Sequence, residues 1–141
     1  MGHQYGMSRA SVYNEAGEFE AALEAATQEI GREADNSEHY WDRASALSSL
    51  ERYDEAVAEF ERAKAIDAAH SQVLDDDMLD DAYFSALLGA ARQEADVERG
   101  CAKLARYVTQ FPSGRHVGDM SDWQKRLRGE LKSTFVKERY E

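Results

Sequence analysis

The chain has 141 residues, a formal net charge of −11 and 32% charged residues, with one proline and one cysteine. This length suits one ordinary domain with a real hydrophobic core, and the composition favours helices over sheets. The acidic balance disfavours nucleic acid, whose binding needs clustered cations. No apolar run approaches the roughly 18 residues that cross a bilayer, so we expect no nucleic-acid and no membrane partner.

The single cysteine, Cys101, rules out an internal disulfide, which fits a reducing compartment. The start of the chain lacks the order of charged, apolar and small residues that marks a signal peptide. We therefore expect a cytoplasmic protein. A removed signal peptide, and an expression remnant over residues 1–6, both stay open at this point.

The first two predicted helices form a hairpin over residues 3–36. Apolar residues recur at helical spacing from about residue 3 to residue 16, and Gly17 then breaks the pattern. A second helical run begins at Phe19, and Gly31 is expected to stop it. Two helices separated by a glycine turn make a helical hairpin.

The second hairpin, over residues 37–70, has a clearer pattern. Asn36 and Ser37 are suited to cap the start of its first helix. Small residues such as Ala44 stand where two helix axes must approach closely, while aromatic residues such as Phe60 fill the wider gaps. The predicted core of this hairpin consists of Tyr40, Ala44, Leu47, Leu50, Tyr53, Ala56, Val57, Phe60, Ala63 and Ile66.

These two hairpins repeat each other at a spacing of 34 residues. Arg9-Ala10-Ser11 returns as Arg43-Ala44-Ser45, and Phe19 returns as Tyr53. A fixed period of this size is typical of a solenoid, in which each unit buries its apolar face against the next. Solenoids usually offer a surface to a partner and seldom a pocket for chemistry.

A third copy fits residues 81–112, about ten residues later than strict repetition predicts. Its first helix would carry Phe84, Leu87 and Leu88, and its second Val97, Gly100, Leu104 and Tyr107. Apolar residues keep helical spacing across the insertion at residues 71–80. We therefore predict that the first helix of this copy is lengthened and runs from about residue 71 to residue 92.

The second copy resembles a tetratricopeptide repeat. Its run Tyr40-x3-Ala44-x2-Leu47-x5-Tyr53-x2-Ala56-x3-Phe60-x2-Ala63 follows the pattern of that family, with Ala68 where proline is common. An arginine followed by a small residue, as at Arg43, is familiar in a bacterial-looking subset of the family. The resemblance implies that Arg9 and Arg43 pair with a carboxylate of the neighbouring helix, for which Glu24 and Glu59 are candidates.

The resemblance covers residues 3–112 and implies an all-α fold, a right-handed α-solenoid of about three helix-turn-helix repeats. Residues 113–141 are expected to form a linker and a C-terminal capping helix, since solenoids need a terminal helix that covers the end of the stack. This helix is predicted to begin at Ser121 and to carry Trp123, Leu127, Leu131 and Phe135 at four-residue intervals.

The sequence offers no recognisable catalytic motif. It contains no phosphate-cradling glycine loop, nucleophile elbow or zinc-protease motif. The four histidines, His3, His39, His70 and His116, have no ligand spacing relative to one another or to Cys101. We therefore expect a protein that is not an enzyme and that has no metal and no cofactor.

An acidic run comprises Asp75, Asp76, Asp77, Asp80 and Asp81. It lacks the glycine and the terminal glutamate of a calcium loop, and acidic residues early in a helix complement its dipole. Two interpretations stay open: a solvated helix start, and a patch that docks a basic partner.

In tetratricopeptide proteins the first helix of each hairpin lines a concave groove that commonly holds a peptide or helix of another protein. Transferred to this chain, the resemblance places in that groove Met7, Ser11, Asn14, Glu38, Trp41, Ser45, Ser48, Ser49, Ser85, Gly89 and Arg92. Chaperone-binding members of the family clamp a C-terminal carboxylate with Lys and Asn side chains on these first helices. The matching positions of this chain lack those residues. Because Tyr40 and Trp41 are adjacent, only one of them can face the hairpin core. Trp41 either anchors a partner or packs on the N-terminal segment or the final helix.

The sequence therefore predicts an adaptor that binds a segment of another protein, with a basic partner favoured by the acidic charge. The alternative is a self-associating structural domain, in which the terminal helix or the insertion builds a homo-oligomer.

Overall fold

The computed structural model describes residues 8–130, and over these residues the chain is all-helical. Seven α-helices pack there in chain order, each on the next. The helices are α1 (Arg9–Glu15), α2 (Phe19–Arg32), α3 (Ser37–Ser49), α4 (Tyr53–Ile66), α5 (Asp76–Gln93), α6 (Val97–Gln110) and α7 (Val117–Leu127). A single π-helical turn, Asp67–Ser71, extends α4. The predicted all-α class is confirmed.

The turns of the first hairpin agree with the sequence. Gly17 separates α1 from α2 with a φ of 80°, a conformation that glycine adopts without steric cost. Gly31 lies in the last turn of α2, which ends one residue later at Arg32, so the predicted end of this helix agrees with the structure to within one residue. Asn36 caps α3 as predicted, since its side chain accepts a hydrogen bond from the Glu38 amide at 3.0 Å.

The core of the second hairpin lies where the sequence places it. Buried residues of α3 and α4 include Tyr40, Ala44, Leu47, Ala56, Val57, Phe60 and Ala63, whereas Leu50, Tyr53 and Ile66 are half-buried. Nε of Arg43 lies 2.7 Å from a carboxylate oxygen of Glu59 across the two helices. The pairing expected for Arg43 is therefore confirmed, with Glu59 as its partner.

The first helix of the third hairpin is extended ahead of residue 81, as predicted, but by five residues and not by ten. Helix α5 starts at Asp76, and the segment before it is not helical, because the Asp67 carboxylate accepts hydrogen bonds from the amides of Val73 and Leu74. Gln72 has a left-handed φ of 53°. The predicted start near residue 71 is therefore wrong. Val97 is also 41% exposed, where the sequence predicted a lining position.

Helix α7 covers the last hairpin and packs on α6. It begins four residues before Ser121 and ends at Leu127, because Gly129 turns the chain with a φ of 80°. Its half-buried apolar residues, Val117, Met120, Trp123 and Leu127, pack against the core. Leu131 and Phe135 lie outside the described residues. None of the helices within residues 8–130 has the length and apolar character to span a membrane.

Candidate functional site

A cleft of about 850 Å³ opens beside the first residues of α1, α3 and α5. We call it the N-terminal cleft. It is lined by Ser8, Arg9, Ser11, Glu29, Glu33, Asn36, Glu38, His39, Trp41, Asp42, Val73, Leu74, Asp75 and Met78. The segment that leads into α5 forms one rim of this cleft, because Val73, Leu74 and Asp75 are among the lining residues. Helix α5 itself packs on α4.

The apolar side of the cleft combines Trp41 with residues of the insertion. Val73 and Met78 are each 58% exposed, and Trp41 is half-buried with its ring 5.3 Å from that of Phe60. Tyr40 is the buried member of the adjacent pair, and its hydroxyl donates to the Ala34 carbonyl at 2.7 Å. Trp41 thus reaches the cleft while it packs on α4.

Asp42 forms the floor of the cleft. Its carboxylate accepts hydrogen bonds from the hydroxyls of Ser8 at 2.8 Å and Ser11 at 3.0 Å, and its carbonyl accepts one from the Asn14 amide group. Burial raises the pKa of Asp42, although both hydroxyls favour the charged form. Ser11 and Asn14, expected in the groove, therefore join α1 to α3.

The remaining wall of the cleft is acidic. It carries the carboxylates of Glu29, Glu33, Glu38 and Asp75, with Arg9 as a cation on the same lining. The hydrogen bond from His39 lowers the pKa of Glu33. A concave surface with this balance of charge concentrates cations near it.

Two clusters of His, Asp and Glu side chains lie within the described part of the chain. The first joins Glu29, Glu33 and His39, and the second joins Asp80, Asp81 and His116. In each cluster, one ligand atom per residue lies within 4.8 Å of the other two. Sequence spacing gave no sign of either, because in each cluster the histidine and the carboxylates lie on different elements: α3 and the end of α2 for the first, the segment before α7 and α5 for the second.

The other residues predicted for the groove are dispersed. Glu38 and Trp41 line the cleft, whereas Ser45 and Ser48 are half-buried farther along α3 and Ser49 and Ser85 are exposed. Gly89 is not a groove residue, because a Cβ built on it would lie 2.6 Å from the ring of Tyr53. The Arg92 guanidinium lies 5.4 Å from the centre of the Trp123 ring on α7. Met7 lies outside the described residues.

Comparison with known proteins yields no relative from which a function could be transferred. A scan against family models, a search of curated proteins and a search of solved structures each find no match. Function must therefore be inferred from the side chains of the chain itself.

The acidic run is mainly the start of α5. Asp75 caps this helix by accepting a hydrogen bond from the Met78 amide, and Asp76 and Asp77 lie exposed in its first turn. Asp80 is only 4% exposed and accepts hydrogen bonds from the Tyr107 hydroxyl and the Arg115 amide. It cannot contribute to an exposed docking patch, which corrects that part of the prediction.

Asp81 belongs to the same network of hydrogen bonds. Its carboxylate lies 2.7 Å from Nε2 of His116 and 3.3 Å from the Arg115 guanidinium. Asp81 is 51% exposed but is engaged in this network. Asp75, Asp76 and Asp77 are the exposed aspartates outside it, and of these Asp75 lines the cleft.

Cys101 lies buried under α7. Its thiol approaches the Gln124 carbonyl at 3.7 Å, and burial raises the pKa of the thiol. A raised pKa lowers the fraction of the reactive thiolate.

Proposed function

We propose that this chain is a non-enzymatic, tetratricopeptide-like adaptor that binds a segment of another protein in the N-terminal cleft. One observation carries the proposal: a partly exposed Trp41 stands beside the exposed side chains of Val73 and Met78 in one concave surface. Concave, partly apolar surfaces are where proteins bind ligands, and tryptophan is enriched among the residues that dominate binding energy.

The charge of the cleft favours a basic partner. Glu38 and Asp75 line the cleft together with its apolar residues. Lys or Arg residues in the partner would increase the rate of association and fix its orientation. The occupant that fits is a short segment with an aliphatic or aromatic side chain between basic residues.

The repeat architecture is part of the same proposal. The 34-residue echo, the buried pair of Arg43 and Glu59, and the ordered packing of successive helices support a right-handed solenoid of tetratricopeptide type. The insertion between the second and third hairpins supplies Val73 and Met78 to the rim. In this proposal, the insertion that interrupts the 34-residue period supplies part of the partner-binding cleft.

A defined peptide library tests the proposed function. We expect peptides selected on the intact protein to carry basic residues around an apolar one, and Trp41→Ala to weaken their binding at least about tenfold, as for a hot-spot residue. Glu38→Lys should weaken them as well. Fluorescence anisotropy with the selected peptides measures both effects.

Ser85→Ala is the matched control, since Ser85 is exposed on α5 and does not line the cleft. Peptides that bind Trp41→Ala and Glu38→Lys as tightly as the parent, with circular dichroism unchanged, would contradict the proposal.

Self-association is the alternative function, and light scattering separates it from the first. Contact through the terminal helix is disfavoured, because the described apolar residues of α7 pack against the core of their own chain. Contact through the insertion would use Val73 and Met78, which are exposed. A particle of 15.9 kDa in dilute solution would argue against a homo-oligomer, and a concentration-independent dimer would favour it.

A further inference from the structure

One histidine and two glutamates converge in the wall of the N-terminal cleft. The side chain of His39, near the start of α3, is only 8% exposed, and its Nε2 lies 2.8 Å from Oε1 of Glu33. Glu29 stands one turn before Glu33, at the end of α2. All three residues line the cleft.

We propose that Glu29, Glu33 and His39 bind a divalent transition-metal ion of the zinc class. One imidazole with two carboxylates suits Zn²⁺ and its first-row neighbours, whereas Ca²⁺ and Mg²⁺ take oxygen ligands. Ligand atoms on a tetrahedral zinc ion lie about 3.3 Å apart, given bonds of about 2.0 Å. The three ligand atoms already lie within 4.8 Å of one another, so small rotations of the glutamate side chains would place three ligands around an ion, with water in the fourth position.

Burial and local structure hold the histidine in place. The hydroxyl of Tyr40, the next residue along α3, bonds the Ala34 carbonyl, and Asn36 caps the helix. These bonds fix the connection between α2 and α3 that carries His39. The imidazole itself bonds Glu33 through Nε2, and its buried Nδ1 has no hydrogen-bond partner among the described residues.

The charge distribution also favours a cation at this point. Glu29 lies in the last turn of α2 and Glu33 is its C-cap residue, where the helix dipole disfavours carboxylates. The cation that now faces Glu29 is Arg32, which is 63% exposed, and exposed pairs of this kind contribute little. A divalent ion between the two carboxylates would turn their repulsion into a shared attraction.

The second cluster, of Asp80, Asp81 and His116, is not proposed as a metal site. Both ring nitrogens of His116 already bond carboxylates, those of Asp81 and Asp119. Asp80 accepts from Tyr107 and Arg115, and the His116 ring stacks on Phe84 at 4.6 Å. None of these residues lines the N-terminal cleft. We assign this cluster to the packing of α5 against the segment before α7, and it serves as a matched control.

Titration of the untagged full chain with Zn²⁺ tests the site. The experiment uses a His3→Ala background, which removes the histidine that lies outside the described residues. We expect one ion per chain by calorimetry, and a visible absorption band when Co²⁺ replaces Zn²⁺. Glu29→Gln and His39→Gln should each weaken Zn²⁺ binding at least about tenfold, since even outer-shell changes cost 10- to 100-fold.

The variants are chosen so that misfolding cannot imitate the result. His39 is buried, so its replacement is paired with Glu29→Gln, whose side chain is more accessible, and circular dichroism verifies the fold of both. His116→Gln should bind Zn²⁺ as tightly as the background chain. Failure of the background chain to bind Zn²⁺ at millimolar concentration overturns the assignment. So does unchanged binding by a folded Glu29→Gln variant, or a loss that follows His116→Gln instead.

Discussion

The buried ion pair of Arg43 and Glu59 connects α3 to α4 through two side chains. The Glu59 side chain is 9% exposed and that of Arg43 is 19% exposed. Removal of one partner from a buried pair leaves an uncompensated charge and costs about 3–5 kcal/mol. Because Arg62 also contacts Glu59, we expect Arg43→Ala to lower the free energy of unfolding by somewhat less, about 2 kcal/mol. Urea denaturation measures the change.

Arg62→Ala provides the comparison for this pair. Arg62 approaches the same carboxylate at 2.6 Å but is 53% exposed, and exposed pairs contribute about 0–1 kcal/mol. We expect its removal to change the free energy of unfolding by less than about 0.5 kcal/mol. Equal losses for the two variants would show that burial does not set the strength of this contact.

The packing of α5 against α6 depends on the absence of a side chain at Gly100. A Cβ at this position would lie 2.9 Å from the carbonyl oxygen of Ala91, a backbone atom that cannot move without its helix. We therefore expect Gly100→Ala to lower the free energy of unfolding by about 1–3 kcal/mol, as for other overpacked contacts.

Gly31→Ala is the matched control within a helix. Nothing lies within 4 Å of the Cβ that it would add, so the substitution should stabilise the protein by about 0.5–1 kcal/mol through helix propensity alone. The two variants should therefore shift the urea midpoint in opposite directions. A stabilising effect of Gly100→Ala would mean that α5 and α6 separate at little cost.

Over the whole molecule, features set by neighbouring residues were predicted best from the sequence. The hairpin of α3 and α4 has a cap at Asn36 and an apolar period, both of which lie within one short segment. The start of α5 was predicted too early because the Asp67 carboxylate accepts hydrogen bonds from the amides of Val73 and Leu74. The spacing of apolar residues along the sequence gives no information about such an interaction.

The candidate site was predicted less completely than the fold. Trp41 and Glu38 were identified because one family pattern fixed their place on the first helix of a hairpin. Asp42 and His39 were missed because a polar residue on a helix is normally exposed, whereas these two are buried. Asp42 bonds Ser8 and Ser11, which lie more than 30 residues away along the chain, and His39 bonds Glu33 across the turn between α2 and α3. Neither contact follows from the apolar pattern.

The stability of the whole molecule should fall as the pH rises above about 6.5, because of His116. Burial alone would lower the pKa of His116, but hydrogen bonds to Asp81 and Asp119 outweigh it and raise the pKa above 6.5. Asp80 adds attraction for the charged ring, and Arg115 is the neighbouring cation. Because the pKa of His116 is higher in the folded state than in the unfolded state, the stabilisation is fully present at pH values below the unfolded-state pKa. It is lost as the pH rises through the folded-state pKa.

Denaturation of the metal-free protein from about pH 6 to about pH 8 measures this dependence. We expect the free energy of unfolding to decrease over that interval in the parent chain and to vary less in His116→Gln. The substitution removes the charge that joins α5 to the segment before α7, and it leaves the Glu29, Glu33 and His39 cluster intact. If the parent and His116→Gln show the same slope, the network of Asp80, Asp81 and Asp119 does not stabilise a charged His116.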